Sequence, residues 1–120
     1  MALIRLHLAV VVTALYFHAR LSSGSLLDAL TDIPNVSPSR SDINLSDLER
    51  ACLRTRARLG LPCLPTALAA RSVLAMSGTP SKLVMGVDPG NVMDGHAWLV
   101  INNQEILKGT RQWRQIWQEE

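Results

Sequence analysis

Two residues in this chain have the types and settings that nucleophilic chemistry needs. Cys63 stands in Pro62-Cys63-Leu64-Pro65-Thr66-Ala67-Leu68, where a proline-bounded bend meets the predicted start of a helix. A thiol there is biased toward thiolate, because the first N–H groups of a helix lack partners and its dipole favours negative charge. His96 stands in Asp94-Gly95-His96-Ala97-Trp98-Leu99-Val100, at the head of a predicted strand. An imidazole on a separate element can take the thiol proton and later return it. The backbone N–H groups of Cys63 and Leu64 are the candidate donors to a developing oxyanion. The competing reading of Cys63 is a buried structural cysteine, the commonest fate of a free thiol. On local features the two readings stand level. His96 alone reads equally as a satisfied strand histidine. Gly95 beside it is expected to permit close backbone approach, and Trp98 shares its face of the strand.

The elements that must position this pair follow from periodicity. Residues 3–21 form a predicted helix and 25–31 a short one stopped by Pro34. Residues 34–44 are rich in Pro, Ser and Asn and read as a linker. Ser46 with Glu49 has the spacing of a capping box for a helix carrying Leu48, Cys52 and Leu59 on one stripe and ending at Gly60. The next helix runs from Cys63 to Ser77, with little polar surface, so it is expected to be buried. The period then shifts to two. Residues 82–87, 96–101 and 105–107 read as strands, with Asp88-Pro89-Gly90-Asn91 and Asn102-Asn103 as turns. In the tail, Trp113 and Trp117 at i, i+4 spacing fit either a short amphipathic helix or a pairing segment. Helices first and an antiparallel sheet after make an α+β chain. The expected organisation is N-terminal apolar helices over 1–33, a linker over 34–44 and a catalytic unit over 45–120, together one compact body.

Composition bounds the alternatives. A length of 120 residues suits one domain with a modest core, which with five aromatic residues must be mainly aliphatic. A net charge of +2 gives no argument for nucleic acid. Arg50, Arg54, Arg56 and Arg58 crowd one helix without interleaved aromatics and read as a solvated face, with an acidic-peptide docking surface as the lesser reading. Two cysteines without a C-x-x-C pair, and scattered His7, His18 and His96, argue against a structural zinc. Free thiols in a reducing compartment are expected, with a Cys52–Cys63 disulfide in a secreted or membrane-surface domain as the alternative. The N-terminus supports both. Its unbroken apolar run, Leu8–Phe17, is too short to span a bilayer, yet a basic start and the Ser22-Ser23-Gly24-Ser25 stretch resemble a signal peptide. A buried or partner-facing helix in a cytoplasmic protein is the first reading, with membrane contact through this helix the second.

A helix-terminal cysteine set against a strand histidine is the arrangement of papain-like and transglutaminase-like folds. More specifically, Cys63-Leu-Pro-Thr-Ala-Leu-Ala-Ala-Arg-Ser-Val-Leu, Gly78-Thr-Pro-Ser-Lys-Leu-Val-Met-Gly-Val-Asp88 and Gly95-His-Ala-Trp-Leu-Val, in that order, resemble the stand-alone transglutaminase-like leader peptidases of lasso-peptide biosynthesis. The resemblance is best over about residues 60–109 and extends to the leucine-rich helices and proline-rich link before them. It implies a cysteine protease that cuts the leader from a ribosomally made precursor peptide through an acyl-enzyme, with Cys63 as nucleophile and His96 as base and acid. It implies three partners: the precursor, a small leader-recognition protein and an ATP-dependent macrolactam cyclase. No cofactor motif is evident, so any ATP dependence would enter through those partners. The family's aspartate, about twelve residues after the histidine, falls on Lys108 here. A lysine cannot accept an imidazole N–H. Either a backbone carbonyl or water orients the ring of a Cys–His dyad, or Asp94 or Asp88 reaches in from the loop, or activity is weak. Asp94 reads first as a solvated turn residue, and Glu105 lies too far along the hairpin.

Overall fold

In a computed structural model that describes residues 3–119, four helices precede a four-stranded antiparallel sheet. Met1 and Ala2, at the start of the signal-like segment, and Glu120, at the end of the tail, lie outside the described residues. The helices are α1 (Leu3–Ser23), α2 (Leu26–Thr31), α3 (Leu45–Leu59) and α4 (Cys63–Met76). The strands are β1 (Lys82–Asp88), β2 (Asn91–Ile101), β3 (Gln104–Ile106) and β4 (Arg114–Gln118), in the order β3-β2-β1-β4. The α+β expectation therefore holds.

The central helix is α4, which packs against α1, α3, β1 and β2. Its composition dictates this: ten of its residues, from Pro65 through Ala75, are buried, so no face remains for water. α1 lays Leu6, Val10, Ala14 and Phe17, spaced by three or four, onto α3 and α4. As a whole, α1 is long and apolar enough to cross a membrane, which corrects the estimate from its shorter unbroken apolar run. α3 buries Leu48, Ala51, Cys52 and Thr55, while Leu59 stays exposed. The cap of α3 differs from expectation. Asn44, not Ser46, is the N-cap, accepting from Asp47 N–H, because the chain turns helical two residues earlier. That leaves Glu49 inside the helix and free to reach elsewhere.

Gly60, at φ +63, ends α3 in the left-handed conformation and swings the chain into α4. Residues 34–44 contain no helix or strand, yet Ser37 and Ser41 N–H groups donate to the Ala75 and Ser77 carbonyls at the end of α4. β2 begins earlier than the sequence suggests, at Asn91, because the Pro89-Gly90 turn folds it directly back on β1. Asn102 (φ 49) and Asn103 (φ 68) form the tight β2–β3 turn, a conformation asparagine tolerates. The tail is a pairing segment, not a helix: β4 adds to β1, with Trp117 opposite Met85. Arg71 of α4 ties this edge down through two bonds to the Glu119 carboxylate at 2.7 and 2.6 Å.

Candidate active site

Cys63 is the first residue of α4. Pro62 holds the N-cap position in an extended conformation and offers no side-chain acceptor, while Pro65 in the first turn has no N–H. The N–H groups of Cys63 and Leu64 are thus left without a side-chain cap and mark an electropositive terminus beside the thiol. Thr66 Oγ1 donates to the Cys63 carbonyl at 2.9 Å, fixing this first turn. Cys63 is half-buried and packs on the core margin. Cys52 is different. It is wholly buried, its Sγ lies 3.8 Å from the Thr66 carbonyl, and burial pushes its thiol up to about 12. Both cysteines are free, Cys52 within α3 and Cys63 at the head of α4.

His96 sits on β2 opposite Gly86 of β1, sharing a face with Trp98. Its ring stacks on Trp113 at a centroid distance of 4.8 Å and lies near-parallel to Trp98 at 5.9 Å. Trp98 in turn presses on Gly86, where a Cβ would meet its ring and the Arg114 carbonyl, each at 2.8 Å. Glycine is therefore required at 86. It is not required at 95, where a Cβ would stand 3.6 Å from the Gly86 carbonyl in ordinary contact, contrary to the sequence expectation.

The ring's Nε2 is 2.7 Å from the Leu107 carbonyl oxygen. A carbonyl only accepts, so Nε2 carries the proton and the neutral ring keeps its lone pair on Nδ1. Leu107 reaches this position with a left-handed backbone, φ +69. Its own N–H donates to Glu49 Oε2 of α3 at 2.6 Å. The His96 pKa is lowered by burial first; the charges of Arg56 and Arg111 push it the same way, while the Leu107 and Lys108 main chain opposes them.

No carboxylate bonds the ring among the described residues. Lys108 directs its ammonium to Glu105 at 3.4 Å and over the Trp98 ring at 5.2 Å. Glu105 also accepts from Trp98 Nε1 at 3.0 Å. Asp94 accepts from Arg111 at 2.8 Å, and Asp88 accepts from the same guanidinium, so both are held away in an exposed ion-pair cluster. Arg111 also lies 4.2 Å from the Trp113 ring. The orienting group is thus the backbone carbonyl that adjoins Lys108, one of the alternatives the sequence leaves open.

A cleft of about 480 Å³ opens beside the ring, lined by His96 with Glu49, Leu53, Arg56, Arg111 and Trp113 among others. Cys63 does not line it, and no hydrogen bond joins its Sγ to the imidazole among the described residues. What the fold supplies is a helix that starts at Cys63 packed against the strand that bears His96. Three residues of the site escape sequence reading: Glu49, Leu107 and Trp113. Glu49 matches a capping motif, Leu107 bears no mark of a left-handed backbone, and only the stacking separates Trp113 from an ordinary tail aromatic.

The family model described as the transglutaminase-like superfamily matches residues 8–117. No curated protein and no solved structure matches the chain.

Proposed function

Since the chain belongs to the transglutaminase-like superfamily, which includes cysteine proteases, we propose that it is a cysteine peptidase that removes the leader from a lasso-peptide precursor. The observation that supports this most directly is the state of His96: half-buried, neutral, and with Nε2 committed to a carbonyl, so that Nδ1 remains as a base. In the proposed reaction Nδ1 takes the Cys63 thiol proton, and the thiolate attacks the last leader carbonyl. The oxyanion accepts from the Cys63 and Leu64 N–H groups. The imidazolium then protonates the leaving amine of the core peptide, and the C–N bond breaks. Water, deprotonated by the same ring, hydrolyses the thioester and releases the leader acid.

The partners in this reading are the precursor peptide, a small leader-recognition protein and an ATP-dependent macrolactam cyclase, all in the cytoplasm. The test is to incubate a cognate precursor with the protein and its recognition partner and follow intact masses. Wild type should yield leader and core, and Cys63→Ala should leave the precursor whole while keeping its circular dichroism. Cleavage that survives the substitution refutes the proposal.

A second reading, a noncatalytic scaffold of the same fold, is favoured by the absence of a ring-bound carboxylate among the described residues. Thiol labelling separates the two, as developed below. A third, a membrane-associated or secreted chain, is favoured by the length and apolarity of α1. The intact mass of protein recovered from cells distinguishes it, because signal removal would delete the first twenty-odd residues.

A further inference from the structure

We infer that Glu49 is a positioning residue for His96: its carboxylate holds Leu107 in the left-handed conformation that turns the Leu107 carbonyl onto the imidazole. A leucine with positive φ is strained and persists only where its surroundings over-determine it. Leucine also lacks the short polar side chain by which asparagine bonds locally in that region. Three contacts supply the constraint. The Leu107 side chain is 3% exposed and belongs to the core. Its carbonyl accepts from His96 Nε2 at 2.7 Å. Its N–H donates to Glu49 Oε2 at 2.6 Å, a charge-assisted bond spanning 58 residues of sequence.

Of the two hydrogen bonds, the one to Glu49 ties Leu107 to an element outside the sheet and its connection. α3 is anchored by the burial of Leu48, Ala51, Cys52 and Thr55, so Glu49 projects from a fixed support. A right-handed or extended Leu107 would carry its carbonyl off the ring. The imidazole would then lose the acceptor that selects its Nε2–H tautomer, and Nδ1 would be protonated part of the time. The sign of the local charges makes this matter. The cations whose charge acts on the ring are Arg56 from α3 and Arg111 from the segment after β3, and Glu49 and Lys108 line the same cleft. Glu49 acts on the backbone and leaves the ring to a neutral acceptor.

The role in catalysis rests on the peptidase reading, whereas the tautomer of the ring does not, so the two can fail separately. The experiment is long-range 15N–1H NMR of the imidazoles at about pH 8, where an unperturbed histidine is neutral, with His96 assigned by its absence in His96→Gln. Wild type should show a single Nε2–H tautomer with a pyridine-like Nδ1. Glu49→Gln keeps an acceptor for the Leu107 N–H and should preserve that signature. Glu49→Ala removes the acceptor, and Glu49→Asp retains the charge but draws it back by a methylene. Both should give tautomer-averaged shifts and faster exchange of the imidazole N–H than in wild type. Should Glu49→Ala not fold, as judged by circular dichroism, Glu49→Asp carries the same readout. A wild-type tautomer in the folded Ala or Asp variant, or its loss in Gln, overturns the inference. With a cleavable precursor, Glu49→Ala should lower kcat at unchanged KM, with Glu49→Gln restoring it. Absence of wild-type cleavage would count against the peptidase reading and leave the NMR result standing.

Discussion

The two cysteines should differ sharply toward an alkylating reagent, and the difference can be worked from their surroundings. Burial raises the Cys52 thiol from 9.0 to about 12. Near neutral pH, three units lower the thiolate population about a thousandfold relative to an unperturbed thiol. A more basic thiolate is a better nucleophile, and a Brønsted slope of about 0.4–0.5 returns roughly 1.2–1.5 of those units. Ionisation alone therefore leaves Cys52 about 30- to 60-fold slower. It is also 0% exposed, so it reacts only when the α3–α4 packing opens, which slows it further. Cys63 is partly exposed at the head of α4. Iodoacetamide in excess, quenched over time and mapped by peptide mass, should give one adduct on Cys63 with Cys52 trailing by at least about 30-fold. His96→Ala should slow Cys63 alone if Nδ1 assists ionisation. Comparable rates at both sites in folded protein would refute the packing argument. A wide rate ratio that His96→Ala leaves unchanged would favour the scaffold reading.

Two further outcomes concern the sheet that carries the ring. Gly86→Ala drives a Cβ against Trp98 and the Arg114 carbonyl, where neither backbone nor a buried indole yields easily; it should cost about 1–3 kcal/mol in chemical denaturation and shift Trp98 fluorescence, whereas Gly95→Ala should be near neutral. Arg71→Ala strips the Glu119 carboxylate of its bidentate partner and should cost about 2 kcal/mol. The Glu119 pKa is lowered: burial alone would raise it, but the bond from Arg71, the Leu83 N–H and the charges of Arg71 and Lys82 together outweigh that. Its contribution to stability is therefore complete above the unfolded carboxylate value, near pH 4.3, and is lost as pH falls through that value toward the folded one. Thermal melts of wild type and Glu119→Gln should converge at low pH; an unchanged gap would refute the assignment.

Legibility divides along physical lines. Local signals were sufficient for the existence of the four helices and for the ends marked by Gly60 and Pro62, which act within a few residues. The address of the proposed nucleophile was equally local, since Cys63 follows a bend and opens an apolar helix. The Asn102-Asn103 turn fixed the β2–β3 register by its own chirality. The ring's support was not legible. Leu107 takes a conformation its side chain disfavours, imposed by a carboxylate far away in sequence. Glu49 sits three residues after a serine and so imitates a cap, while Asn44 takes that office. Trp113 and Trp117 have helical spacing, but the unpaired edge of β1 claims the tail as a strand. In each case a tertiary partner outbid the local pattern.

The exchange of a carboxylate for a carbonyl has a definite meaning for the proposed chemistry. An orienting acid does two things for a catalytic imidazole: it selects the tautomer and it stabilises the imidazolium. Substituting the acid so that the tautomer is wrong costs roughly four orders of magnitude in a serine triad. Here the Leu107 carbonyl accepts from Nε2 at 2.7 Å and preserves the tautomer. What it lacks is the charge, and the surroundings deepen that deficit, because burial and the Arg56 and Arg111 cations all favour the neutral ring. The ring is therefore held neutral, and in the proposed reaction it takes the thiol proton at the attack step. A substrate carboxylate in the cleft beside Arg56 and Arg111 would relieve that opposition. The proposed peptidase should be slow in isolation and accelerate when its bound substrate completes the electrostatics of the site.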